Sequence, residues 1–500
     1  MFDFKKAFCI VLILCIILMT ALTGCSQNDG PGADISTGET EGGGSDVAPV
    51  DSLEARRLVP DGLPEKNFDG ARFAIVTQTR MIDDVYVENV KGDVIIDSVY
   101  ARNSEIEERF NVKISAIDGI YDKMNILLEK TVLANEDAFD LFFGQAYYTC
   151  GLVMKELLLN WYLVPRINFK QPWWARSSVD DLTYNNKAFI VIGDFSLSAM
   201  YATYCMYYDK AVANDYGITD MYGTVNEGKW TIDRLSELTK NVYRDLNGDG
   251  AEDIDDYYGF ATDPWSNIST YLWAFDNPVM VKNSSGVPSL VVKTDKIDSI
   301  VEKLRDLCYN NTGSYFDLSY KGAHGYAEGL SQDMFQKGSV LFANGYLQMS
   351  VSHFRNVANE YGIIPYPKWN EAQSNYHTMS DGFHGILALP KNANDLEKIG
   401  VITEALCAES WKSVMPKYYD IALKVKGARD EGSIAMIDLI MAGRVFDFGY
   451  IYDNEKGMGG ILCQLIQNTK TNFETYYAAN EKKVQAHYRS VLEIFEKEDT

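Results

Sequence analysis

ARFAIVTQT at residues 71–79, with VKISAI at 112–117 and FDLFFG at 139–144, decides the fold. Each is a short apolar run of the kind that forms a buried strand. Between the first two, residues 94–110 place Ile95, Val99, Arg102, Asn103, Ile106 and Phe110 at helical spacing. Between the second and third, residues 121–134 read as another helix. Strand–helix–strand–helix–strand with short joins predicts parallel strands linked by right-handed crossovers. The fold class is α/β.

Moving outward along the chain, KAFIVIGD (187–194) is strand-like. TIDRLSELTKNVYRD (231–245) is a helix with Thr231 at its N-cap and Ile232, Leu235, Leu238 and Val242 on its apolar face. YGIIPYPK (361–368) and HGILALPK (384–391) are short apolar runs, each ended by proline. From Phe473 onward, Tyr477, Val484, Tyr488, Leu492 and Phe495 line one face of a closing helix. There are no internal repeats.

Toward the other end, Lys5 and Lys6 precede AFCIVLILCIILMTALTG, which stops at Cys25. A basic start followed by an apolar segment reads as a secretory signal, with a transmembrane anchor as the alternative. The ending Leu22-Thr23-Gly24-Cys25 is the pattern of a bacterial lipoprotein, in which Cys25 receives the lipid and residues 1–24 are removed. The expected location is the extracellular face of the cell membrane. Residues 25–65 begin with a Gly-, Ser- and Asp-rich stretch that cannot build a core and reads as a tether. Cys150, Cys205, Cys308, Cys407 and Cys463 remain, an odd set without CxxC spacing, expected as buried thiols with their pairing left open.

The chain has 500 residues and a net charge of −24. That length allows two or more substantial cores, and that charge argues against nucleic acid as a partner. No HExxH or GxSxG motif occurs. GTVNEGKW (223–230) fits GxxxxGK, but Trp230 stands where a magnesium-binding hydroxyl belongs and Glu227 would face the phosphates, so it reads as a loop. A pair of catalytic carboxylates, as in a glycoside hydrolase, is neither marked nor excluded.

DLNGDGAEDIDD (245–256) crowds acidic side chains around two glycines. The twelve-residue calcium loop takes ligands from positions 1, 3, 5, 7, 9 and 12, with glycine at 6. Here these are Asp245, Asn247, Asp249, the Ala251 carbonyl, Asp253 and Asp256, with Gly250 at the turn. Aspartate in place of glutamate at the last position shortens one arm. An acidic surface turn is the alternative. A Ca2+ ion here is expected to brace the fold, away from any binding site.

These landmarks, in order, resemble the family 1 extracellular solute-binding proteins, the lipid-anchored receptors of bacterial ABC importers. The resemblance runs from Phe68 onward through FDLFFG, PWW (172–174), LTYNNKAFIVIGD (182–194), MYYDKAVANDYGI (206–218), FQKGSVLFANGY (335–346), GIIPYPKWNEAQ (362–373) and DGFHGILALPKNAN (381–394). It implies a two-lobed periplasmic-binding-protein-like (type II) fold with the ligand in a cleft between lobes. Lobe one would take residues 66–195 and 384–445, and lobe two 196–383 and 446–500. The crossings would lie near Asp194–Tyr208, Asp381–Leu387 and Val445–Tyr452.

The implied ligand is a small solute of carbohydrate type, and the implied partners are the membrane subunits of an importer, with the receptor a monomer and no turnover. Sugars need aromatic faces for their C–H surfaces and polar groups for their hydroxyls. At strand ends and crossings the candidates are Thr77, Gln78 and Gln145, with Trp173, Trp174 and Trp265 as stacking rings. Asp194, Asp381 and His384 are candidate partners for hydroxyls. A surface-anchored glycan hydrolase and a sensory module for a receptor kinase are the competing readings.

Overall fold

The computed structural model describes residues 53–321, 329–427 and 430–498. The signal segment, Cys25 and most of the tether lie outside the described residues.

The expected parallel unit is present. Strands β1 (Ala71–Gln78), β2 (Val112–Gly119) and β3 (Leu141–Gln145) lie in the order β3-β1-β2. Phe73 pairs with Ile114 and Ile75 with Leu141, both in parallel register. Every β1 residue from Phe73 to Gln78 is buried, which is why the run carries no polar alternation before its end. The helix Val94–Phe110 begins at Asp93, whose carboxylate accepts from the Ile95 and Ile96 N–H groups. It ends at Asn111 in the left-handed region. The helix Tyr121–Ala134 makes the second crossover and ends the same way at Asn135. A fourth strand, Gly385–Ala388, joins antiparallel to β3.

A second, mixed sheet of six strands is built mainly from Tyr361–Ile364, Tyr204–Asp209, Val340–Tyr346, Tyr257–Ala261 and Tyr243–Arg244, in that order. The helix expected over 231–245 stops at Thr239. Thr231 caps it as expected, its hydroxyl accepting from the Arg234 N–H at 3.3 Å. Asn241 then turns the chain at φ +70°, and Tyr243–Arg244 pairs with Tyr257–Tyr258 as a strand. Pairing to an existing sheet outweighed the local helical spacing. KAFIVIGD also departs from expectation. Lys187–Gly193 are buried, yet the segment makes only single bridges, Lys187 to Tyr184, Val191 to Leu387 and Gly193 to Trp174, and serves as core filling.

The two sheets are joined where Thr203 bridges Ser380 and where Thr378–Met379 runs parallel to Arg444–Val445. Just beyond, Asp447 accepts from the Trp273 indole and from the Val279, Met280 and Gly449 N–H groups, which pins this crossing to the second layer. The closing helix Phe473–Glu496 buries Tyr477, Val484, Tyr488 and Phe495 as its periodicity requires. Cys150, Cys205, Cys308, Cys407 and Cys463 are all free and buried. Among the described residues no helix is long and apolar enough to cross a membrane.

Candidate functional site

The ends of β1 and β3 bring two of the candidate residues together. The Gln145 amide donates to Gln78 Oε1 at 3.1 Å, and both side chains are buried. The same oxygen accepts from Arg80 Nε at 3.1 Å. Arg80 is exposed, and its guanidinium lies 4.6 Å from the centre of the Phe383 ring, a cation–π distance. Thr77 is fully buried and its hydroxyl has no partner among the described residues.

Phe383 belongs to the crossing segment 381–384, which meets both sheets. Asp381 accepts from the Tyr204 hydroxyl at 2.7 Å and from the Phe383 N–H at 2.9 Å. The Gly382 N–H donates to the Tyr450 hydroxyl at 3.2 Å, and its carbonyl accepts from the Tyr147 N–H at 3.0 Å. A Cβ at Gly382 would meet Tyr450 Oη at 2.7 Å and Tyr147 Cβ at 2.9 Å, so only glycine fits this approach. The Phe383 ring faces Tyr346 at 5.6 Å and Tyr201 at 6.4 Å. Tyr147 and Tyr450 face each other at 6.0 Å. Beside Tyr147 opens a polar cavity of about 260 Å³ lined by Asp453, Lys456, Gln464, Tyr476 and Asn480.

The result is a strip along the seam between the sheets. Gln78 and Gln145 end strands of the first sheet, with Arg80 and Tyr147 just beyond them; Tyr204 and Tyr346 lie in strands of the second, and Asp381 and Phe383 in the crossing between them. Aromatic rings and hydrogen-bonding groups occur together here, the pairing that a polyhydroxylated solute requires.

Other candidates are placed elsewhere. Trp173 and Trp174 are 0% and 2% exposed. Their indole N–H groups donate to the two oxygens of Glu404 at 2.9 and 3.1 Å. The expectation of stacking platforms is corrected here, because both rings are core anchors with their polar atoms already committed. His384 is 1% exposed, with Nδ1 2.7 Å from the Asp381 carbonyl oxygen and its ring edge against Phe446. Burial pushes its pKa down to about 4, so the ring is neutral. It props the crossing segment from within. Asp194 is set with Arg444 and not with the glutamines; burial raises its pKa to about 7 against the pull of Arg444 and Arg56. Trp265 is 46% exposed, and its carbonyl accepts from the Cys463 thiol at 2.6 Å. Its ring is the one candidate platform of the three that solvent reaches.

Arg80, Tyr147, Tyr201, Tyr204, Tyr346, Phe383 and Tyr450 were not among the sequence candidates. The tyrosine run in SAMYATYCMYYD (198–209), within an expected crossing, is the signal that marks two of them.

In the loop 245–256 the side-chain oxygens turn onto the loop's own backbone. Asp245 accepts from the Gly248 and Gly250 N–H groups at 2.6 and 3.0 Å, and Asn247 from that of Asp249 at 3.0 Å. Asp249 accepts from Ala251 and Asp253 from Asp255, each at 2.8 Å. Asp256 is buried and accepts from the Leu246 N–H and the Tyr243 hydroxyl. Among the described residues no three acidic, histidine or cysteine side chains converge as a metal-binding group. Short strands flank the loop on both sides. In GTVNEGKW, Gly223 lies inside the short helix Met221–Asn226 and Lys229 pairs with Glu227 at 2.8 Å, so no phosphate-binding loop forms.

No family model and no curated protein matches the chain. Solved structures do match, at low identity. The galacto-N-biose-/lacto-N-biose I-binding protein of an ABC transporter from Bifidobacterium longum, in complex with lacto-N-biose, aligns at 12% identity and a TM-score of 0.54, over 86% of this chain and 98% of its own. UgpB from Mycobacterium tuberculosis, in complex with glycerophosphocholine, gives 13% and 0.52, over 84% and 98%. An ABC substrate-binding protein from Listeria monocytogenes, in complex with cycloalternan, gives 11% and 0.51, over 85% and 98%. The chain therefore has the two-lobed α/β fold of the substrate-binding proteins of ABC transporters.

Proposed function

We propose that this protein is a solute-binding protein that captures a carbohydrate between its lobes and delivers it to the membrane subunits of an ABC importer, without chemical turnover. The observation that carries the reading is the strip at the seam. Gln78 and Gln145 hold each other at the end of one sheet, Arg80 reaches from them to Phe383 of the crossing, and Asp381 beside it bonds Tyr204 of the other sheet. A solute touching both sides would favour the closed arrangement by its added contacts. In this reading lobe one is 66–195 with 384–445, lobe two is 196–383 with 446–500, and the receptor acts as a monomer.

The same reading places the protein outside the cell membrane, held by a lipid on Cys25 once residues 1–24 are removed, with the segment to residue 65 as tether. Labelled fatty acid incorporated into the wild type and lost in Cys25→Ala is the result that supports the anchor.

The test of function is a titration of the soluble body, from residue 51, with neutral α- and β-linked oligosaccharides of two to six units. Saturable changes in tryptophan fluorescence and a raised melting temperature with the sugar recovered intact are expected. Release of shorter sugars would replace this reading with a glycan hydrolase. Absence of any response would remove carbohydrate as the solute.

We propose separately that residues 245–256 take a calcium ion as a brace. The ligand spacing and the glycine turn, with Gly250 at φ +74°, support it; the inward-turned carboxylates do not. Millimolar calcium is expected to raise the melting temperature by several degrees with sugar affinity unchanged. An identical melting curve in calcium and in chelator sinks the idea.

A further inference from the structure

The seam strip continues past Phe383 into a group that the sequence did not suggest. Tyr201, at the end of the short helix Leu197–Tyr201, lies 6.4 Å from Phe383 and 6.0 Å from Tyr418, ring centre to ring centre. Its hydroxyl donates to Asp84 Oδ2 at 3.2 Å. Asp84 comes from the helix Ile82–Val85 that follows β1, and burial raises its pKa to about 7 against the Tyr201 hydrogen bond and the pull of Arg102. Arg102, the cation facing Asp84, spends its N–H groups on Asn103, Ser410 and the carbonyls of Asp84 and Val85.

Tyr418 is the unexplained member. It is 8% exposed, and its hydroxyl has no hydrogen-bond partner among the described residues. A buried hydroxyl without a partner is costly, and buried tyrosines usually find one. Its position is also unusual. It lies in Lys417–Gly427, one of three π-helical stretches among the described residues, a turn type that is rare and frequently found at functional sites. That stretch packs on the first-layer helix Val94–Phe110 and on Gln348–Val351 of the second layer. It therefore spans the seam between the two layers.

We propose that Asp84, Tyr201 and Tyr418 form a subsite for one pyranose unit of an oligosaccharide, the Tyr418 hydroxyl donating to one sugar hydroxyl and Asp84 accepting from its neighbour. The proposal rests on the carbohydrate reading above and extends it, since it makes the solute longer than the span between the glutamines and Phe383. The hydroxyl left unpaired in the solute-free protein acquires its partner from the solute.

The test compares the wild type with Tyr418→Phe, Asp84→Asn and Tyr201→Phe against the same oligosaccharide set. Tyr418→Phe is expected to weaken binding of the longer oligosaccharides about 10-fold, the loss of one buried hydrogen bond. Its melting temperature without sugar should be unchanged or higher, because the deleted hydroxyl has no partner to lose. Asp84→Asn and Tyr201→Phe should weaken the same sugars and leave disaccharides less affected. Equal affinities in Tyr418→Phe, Asp84→Asn and the wild type would overturn the subsite while leaving the carbohydrate reading standing. A lower melting temperature for solute-free Tyr418→Phe would also overturn it, by showing that the hydroxyl is already paired. No sugar binding by the wild type would overturn both.

Discussion

Replacing Glu404 by alanine is expected to lower stability by about 3–5 kcal/mol, the scale for stranding several buried hydrogen-bond donors and opening a void at once. Glu404 lies in the helix Leu396–Glu409, has no exposure, and accepts from the Trp173 and Trp174 indoles and from the Asn168 N–H. Alanine would strand three buried donors and leave a void beneath two indole rings. The site also has a pH signature. Burial raises the Glu404 pKa from 4.5 to about 7, against the opposing pull of the three N–H donors. The folded protein therefore holds this proton over a window where the unfolded chain has released it. The stabilisation is complete below about pH 4.5, is lost as pH rises toward about 7, and is constant above. Over that window the contribution is about 3 kcal/mol. Denaturant titrations at pH 5 and pH 8 should show most of that loss in the wild type. The same pair of titrations on Glu404→Gln, which cannot ionise, should lack it. Equal slopes with pH in the two proteins would contradict the assignment.

The second large effect is on binding. Asp381→Ala is expected to weaken the captured sugar by about 10- to 100-fold, the scale of a hydrogen bond to a charged group. Asp381 stands where the crossing meets both sheets, half-buried, with one oxygen on the Tyr204 hydroxyl and the other on the Phe383 N–H. Each oxygen keeps acceptor capacity for a solute hydroxyl. The stability cost should be smaller, about 1 kcal/mol, because both lost hydrogen bonds border solvent. Tyr204→Phe, alone and combined with Asp381→Ala, separates the two contributions. A joint loss smaller than the sum of the single losses is expected for groups that hold each other in place. Unaltered affinity in Asp381→Ala, measured by calorimetry, would place the solute elsewhere.

Much of the first sheet was legible in the residues themselves. Three apolar runs separated by two helical periods define the parallel unit, and Thr231 caps the helix it precedes. The polar residues at the strand ends, Gln78 and Gln145, were also legible as site candidates, and the structure bonds them to each other. The tryptophan pair was not. WW after proline reads equally well as a binding platform or as a core anchor, and the deciding residue, Glu404, lies 231 positions away from Trp173.

What the sequence determined by itself was local. Periodicity, caps and short joins settle which segments become strands and helices, because those preferences act over a few residues. The tertiary structure alone decided which polar and aromatic groups share the seam. Arg80 meets the Phe383 carbonyl across 303 residues, and Tyr204 meets Asp381 across 177. Such contacts arise when sheets close over their cores, so no spacing within either segment carries them. The same closure ended a helix at Thr239, turned KAFIVIGD into core filling and buried both tryptophans. In each case burial and pairing across the fold were worth more than the local preference they overrode.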